Sequence, residues 1–410
     1  MTELQSRIAV YTHDTFGMGH VRRCLNIIEQ LSRTEPNAAI LLVTGSPAVG
    51  KLGPLPDNVD VIKLPTIAPT GEIHDKPSHL PIPTRDIIAI RRDMIGAILK
   101  RFAPDVFLVD NFALGARKEL GPTLEKLAAT QTRVMLGLRD IVDAPEVIRE
   151  RWPRDGVTQA LEILYDDVLV FGQKQIFDPV KEYDLPAVAA AKVRHCGYVA
   201  RAAVQASDAD LAELGLPPQF MLVTVGGGGD GLPLIQNFLA GRHMMPDLPA
   251  LVVAGPLVGP ASKTRISDMA MATPGVTLVD FLPDLPRYMK RAQLVVAMGG
   301  YNTVSELMRN NCRALIAPRD WRFGQHALGT SAGVEMEQRL RAEKLDDTER
   351  AYMINPSELS PVNLAQAVTE ALKSPREAGA AFTEDGATVA AQYILQSIKK
   401  QRIQTLAKSA

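Results

Sequence analysis

The chain is poor in cysteine and aromatic residues, nearly balanced in charge, and without a long apolar run. Its three cysteines, Cys24, Cys196 and Cys312, are odd in number and far apart. That excludes a disulfide framework and a close-spaced zinc site, and fits reduced thiols in a cytosol. Aromatics make up 5% of the sequence, and aliphatic residues dominate the apolar share. This suits parallel sheets covered by helices better than an all-β sandwich. A formal net charge of -1 gives no general attraction to nucleic acid or to an acidic polymer, so partners are to be sought in local sites. No stretch is long enough to span a bilayer, and residues 1–7 are polar, without the apolar region of a secretion signal. The expectation is a cytoplasmic protein, with peripheral contact at the inner face of the membrane left open.

What the chain has is alternation. At 410 residues it exceeds one ordinary core, and short aliphatic runs alternate with helical patterns throughout, the signature of βαβ units. Strands are expected at 8–11, 39–43, 59–63, 106–109, 134–136 and 168–171. After a break near 193–206 they restart at 220–225, 251–254, 276–279, 294–297 and 314–317. The expected fold class is α/β, with domains at 1–200 and 201–385 and a C-terminal helix at 386–410 able to pack back across them. The proline-rich stretch 53–83 reads as a long loop. The helix after it, 87–102, carries Arg91, Arg92, Lys100 and Arg101 among apolar positions, as a solvated amphipathic helix or a membrane- or acceptor-binding one would.

Ligands bind at the carboxyl ends of parallel strands, and the candidate residues gather there. After the first strand, Gly17-Met18-Gly19-His20 puts an imidazole on the first turn of a helix, where a general base belongs. A helix-start histidine bonded only to a neighbouring loop is the alternative. Asp110, ending another strand of the same sheet, would orient His20, or is an ordinary turn aspartate. In the second half, Gly226-Gly227-Gly228-Gly229-Asp230-Gly231 contains Gly-x-Gly-x-x-Gly, but the next strand ends in Gly255-Pro256 where a dinucleotide site needs an acidic residue. A glycine loop against a phosphate or sugar is the better reading. Phe281 and Leu282 end a strand where a base would lie, and Arg319, Asp320 and Gln325 suit sugar hydroxyls. Gly299-Gly300-Tyr301-Asn302-Thr303 reads as a strand-turn-helix start whose free N–H groups attract an anion. Thr303 and Glu306 also have capping-box spacing, which is the purely structural account.

Together these pieces resemble the glycosyltransferases of the GT-B fold, two Rossmann-like domains facing a cleft, and specifically family 28, which includes the lipid II-forming N-acetylglucosaminyltransferase. The resemblance rests on Gly299-Gly300 through Glu306, Gln325, Phe281-Leu282 and the Gly227, Gly228 loop. It implies that the helix beginning near Asn302 and Thr303 receives the diphosphate of a UDP-sugar. Glu306 would hold the ribose, Gln325 would contact the sugar, and Phe281 and Leu282 would lie against the uracil. It implies no cofactor and no metal. A second resemblance lies at the N-terminus, where Gly17-Met18-Gly19-His20-Val21-x-Arg23-Cys24-Leu25 is similar to the UDP-sugar hydrolase of pseudaminic acid synthesis, whose matching histidine activates water. Retaining enzymes of this fold commonly carry two glutamates eight positions apart around the helix; Met298 stands where the first would be, which favours inversion. The implied activity is inverting, metal-independent transfer of a sugar from a UDP-sugar to an acceptor hydroxyl, on a sugar, a lipid-linked or a small-molecule acceptor, as in polysaccharide or glycolipid synthesis. UDP-sugar hydrolysis and non-catalytic nucleotide-sugar binding are the alternatives.

Overall fold

The computed structural model describes residues 5–13, 19–46, 54–68, 76–77, 79–227, 229, 231–256, 258–319, 336–374, 376, 382 and 384–409. They divide into two compact units, one made of Met1–Val199 and Gly386–Ala410, the other of Ala200–Phe323 and Val334–Asp385. Each unit is a parallel sheet whose strands are joined through helices, as short aliphatic runs buried on both faces require.

The first unit contains β1 (Arg7–Thr12), β2 (Ala39–Thr44), β3 (Val59–Lys63), β4 (Val106–Asp110), β5 (Arg133–Arg139), β6 (Asp167–Phe171) and β7 (Val193–His195). They lie in the order β3-β2-β1-β4-β5-β6-β7, with Ile8 beside both Ile40 and Val106. Helix α1 (Gly19–Thr34) follows β1 and buries Val21, Leu25, Ile28 and Leu31, at helical spacing. The proline-rich stretch includes a short antiparallel pair, Ile67–Ala68 with Lys76–Pro77.

Helix α2 (Thr84–Phe102) departs from the sequence reading at one position. Arg91 is not on the solvated face: it is wholly buried, with Nε and Nη2 each donating to Glu119 at 2.6 Å and Nη1 donating to the Pro65 carbonyl at 2.7 Å. Tyr11 donates to the same carboxylate at 2.5 Å. A buried guanidinium must be paired, so a partner 28 residues away overrode the local pattern. Arg92, Lys100 and Arg101 are exposed, as a solvated face requires.

The second unit contains β8 (Met221–Thr224), β9 (Ala250–Val253), β10 (Val276–Val279), β11 (Leu294–Ala297), β12 (Ala314–Ile316) and β13 (Tyr352–Met353). Their order, β10-β9-β8-β11-β12-β13, repeats the first sheet. β13 escaped the sequence reading because a two-residue strand carries no period. Val223, Phe238, Val252, Val296, Leu364 and Val368 lie in one core cluster. Helices α3 (Tyr301–Arg309) and α4 (Glu337–Asp347) follow β11 and precede β13. The last helix, α5 (Gly386–Ser409), belongs to the first unit and packs along α1. In each sheet the strand order reverses at its first strand, so the loops after β1 and β4, and after β8 and β11, part at a switch point where ligands bind.

Candidate active site

In the first unit, the switch point brings His20, Arg23 and Asp110 together. Asp110 is the last residue of β4 and is buried. Arg23 grips it with both arms, Nε donating to Oδ1 at 2.9 Å and Nη2 to Oδ2 at 2.8 Å. His20 Nδ1 lies 2.6 Å from the same Oδ2. A carboxylate only accepts, so this contact assigns the imidazole hydrogen to Nδ1 and leaves the lone pair on Nε2. Arg23 Nη2 also comes within 2.9 Å of Nδ1, and the two donors share the carboxylate. Burial alone would raise the Asp110 pKa, but the Arg23 charge and the hydrogen bond from His20 outweigh it and hold the carboxyl below its usual value. Asp110 is therefore ionised at neutral pH. His20 keeps 19% of its side chain exposed, against 1% for Asp110 and 2% for Arg23. One group of the three can meet solvent, and it is the one able to accept a proton.

The sequence reading assigned no role to Arg23, although three residues after His20 is the same helix face, one turn on. It also passed over His13. That ring is buried, 4.7 Å from the His20 ring and 4.0 Å from the Phe112 ring, edge to face in both cases. Burial, then the neighbouring His20, push its pKa well below the ordinary value. Gly19 is the first residue of α1; Gly17 lies outside the described residues.

In the second unit, α3 is capped by Gly300, which has no side chain with which to bond the helix start. Thr303 is thus the third helical residue, and the Thr303–Glu306 capping box is not what begins this helix. The first N–H groups of a helix have no partner within it, and those of Asn302 and Thr303, the second and third residues of α3, are among them. Gly226 has φ +63°, and a Cβ there would lie 3.7 Å from Thr303 Oγ1, so the glycine loop after β8 adjoins the start of α3. Gly227 is exposed beside it; Gly228 lies outside the described residues.

The two glycines of the turn differ. A Cβ on Gly299 would stand 2.5 Å from the backbone oxygen of Gln338, so glycine is required there by the approach of α4. On Gly300 the nearest atom is Gln338 Nε2 at 3.9 Å, and the space is open. Glu306 lies one turn further along α3 and is half-buried. Phe281, just after β10, is 48% exposed, an apolar ring presented at a strand end; Leu282 is half-buried. Asp320 and Gln325 lie outside the described residues. Gln338 is a further polar residue at this turn, its side-chain oxygen accepting the Arg319 N–H at 3.4 Å. It lies 19 positions beyond Arg319, and no local pattern ties it to the glycines.

Residues 257–398 match the model of the glycosyltransferase family 28 C-terminal domain. No curated protein matches the chain. Among solved structures the chain is similar to the glycotransferase of kitacinnamycin, at 14% identity over 96% of this chain and 100% of that one, with TM-score 0.62. It is similar to MurG of Acinetobacter baumannii, at 14% identity over 97% and 99%, with TM-score 0.57. It is also similar to UGT2 of Phytolacca americana, complexed with UDP-2fluoro-glucose and pterostilbene, at 15% identity over 98% and 99%, with TM-score 0.62. At such identities the likeness speaks for the fold, which is the α/β fold expected from the sequence, while the domain match speaks for the chemistry. The chain is a GT-B fold glycosyltransferase resembling family 28.

Proposed function

We propose that the enzyme transfers a sugar from a UDP-sugar to an acceptor hydroxyl, with inversion and without a metal. The observation that carries this reading is the 2.6 Å contact of His20 Nδ1 with ionised Asp110, which frees Nε2 as a base. In the step, the acceptor oxygen gives its proton to Nε2 and attacks the anomeric carbon. The bond from that carbon to the diphosphate breaks, and its electron pair leaves with the diphosphate. The free N–H groups of Asn302 and Thr303 and the loop at Gly226 and Gly227 would receive the developing charge where other enzymes use a metal. Glu306 would hold the ribose, and Phe281 and Leu282 the uracil. Gln338, at the open side of Gly300, joins Asp320 and Gln325 as a residue for the sugar.

Hydrolysis of the UDP-sugar is the second reading, favoured by Arg23: the residue that clamps Asp110 stands within the stretch similar to the pseudaminic acid pathway hydrolase. Water on His20 Nε2 would then replace the acceptor. His20→Ala is expected to lower turnover about 10²–10⁴-fold while UDP affinity by calorimetry stays unchanged. Near-full transfer by the variant would remove His20 from the mechanism. Free sugar released at a rate that no acceptor improves would select the hydrolase.

A further inference from the structure

One turn of α4 grips the glycine turn from behind. Arg341 is wholly buried, and its Nη1 donates to the Gly299 carbonyl at 2.7 Å. Its guanidinium carbon lies 5.7 Å from the centre of the Tyr301 ring, and Nη2 faces Glu337 Oε2 at 3.5 Å. Gln338, between them in sequence, fills with its backbone oxygen the space beside Gly299 and accepts the Arg319 N–H with its side chain. Packing alone gives no reason for an arginine at 341. A methionine would fill similar volume without the cost of burying a charge.

The Gly299 carbonyl and the Gly300 N–H are two ends of one planar peptide group. A charged donor on the carbonyl fixes that plane and, by polarising the group, makes its N–H a stronger donor. The N–H belongs to the capping residue of α3, at the mouth where an anion meets the helix start. We propose that Arg341 is a positioning residue of the donor-diphosphate site, acting through the Gly299–Gly300 peptide to aim and strengthen its N–H toward phosphate. This rests on the reading of the α3 start as the donor cradle. Glu337 orients the guanidinium and balances its charge, so the effect reaches the phosphate through the peptide and not as a free cation.

UDP and uridine separate this role from a general structural one, because only UDP carries the phosphates. In calorimetry the wild type is expected to bind UDP more tightly than uridine. Arg341→Met is expected to shrink that ratio about tenfold, which is ~1.4 kcal/mol, with uridine affinity kept. Arg341→Lys, which keeps a charged donor, restores most of it. Should Arg341→Met fail to fold, the double variant Glu337→Gln/Arg341→Met removes both charges of the pair and carries the same expectation. An unchanged ratio in the folded variant, or equal loss for UDP and uridine, overturns the proposal while leaving the cradle standing. A wild type with no preference for UDP over uridine overturns the cradle and this inference with it.

Discussion

His13 shows how one residue in the first unit couples a site to stability. Its ring is sealed between His20 and Phe112, and burial holds its pKa well below 6.5. In the folded state it stays neutral on mild acidification, while the unfolded chain takes up a proton near pH 6.5. The unfolded state then binds more protons, so stability present above pH 6.5 falls as the pH drops below it, with a slope approaching about 1.4 kcal/mol per pH unit from this one group. Asp110 adds the same sign of dependence lower down: its depressed pKa stabilises the fold above the ordinary carboxylate range and is lost as the pH falls through its folded value. Denaturant titrations at pH 7.5 and 5.5 check the His13 part. His13→Phe, which keeps an aromatic ring and cannot titrate, is expected to flatten the difference between the two; an unchanged difference would place the proton uptake elsewhere.

At the scale of elements, the start of α3 separates two uses of glycine that the sequence runs together. Gly299→Ala forces a methyl against the Gln338 backbone and is expected to cost about 1–3 kcal/mol of stability in the second unit. Gly300→Ala meets only the tip of Gln338, and its backbone has an ordinary φ of -64°, so the melting temperature should barely move. If the turn is a cradle, the same methyl narrows the approach of a diphosphate and weakens UDP binding. Thermal melts and UDP calorimetry on the pair give the check: a Gly300→Ala variant with full UDP affinity would take the ligand away from this turn. The strand-turn-helix pattern of residues 294–308 was legible because strand, glycine and helix period are local. The capping-box alternative has the right spacing at Thr303 and Glu306, and only the position of Gly300 shows that the helix begins earlier. Arg91, Arg23, Gln338 and Arg341 were illegible as partners, since each acquires its meaning from a residue on another element.

For the whole molecule, strand periodicity was enough to locate two sheets, but not the strand order within them or the return of the chain to the first unit. That return has a consequence. The first unit is discontinuous: Ala387, Ala390, Ala391, Ile394, Leu395 and Ile398 of α5 are buried, and the helix packs on α1. The described residues of the second unit all lie between Ala200 and Asp385. Ending the chain after Asp385 therefore uncovers apolar surface in the first unit, at ~25 cal/mol for each Å² exposed, and leaves the second unit's own chain intact. Two units with separate cores are expected to unfold in two steps, and the truncation should abolish or lower only one. A ligand that binds only the native state raises stability by mass action, about 2.7 kcal/mol at a concentration of 100 Kd. UDP in a scanning calorimeter should raise the step that survives truncation, because the Gly226 loop and the start of α3, which make the proposed diphosphate cradle, lie in the second unit. If UDP instead raises the step that truncation removes, the donor site belongs to the first unit, and Gly299 to Glu306 is a structural turn.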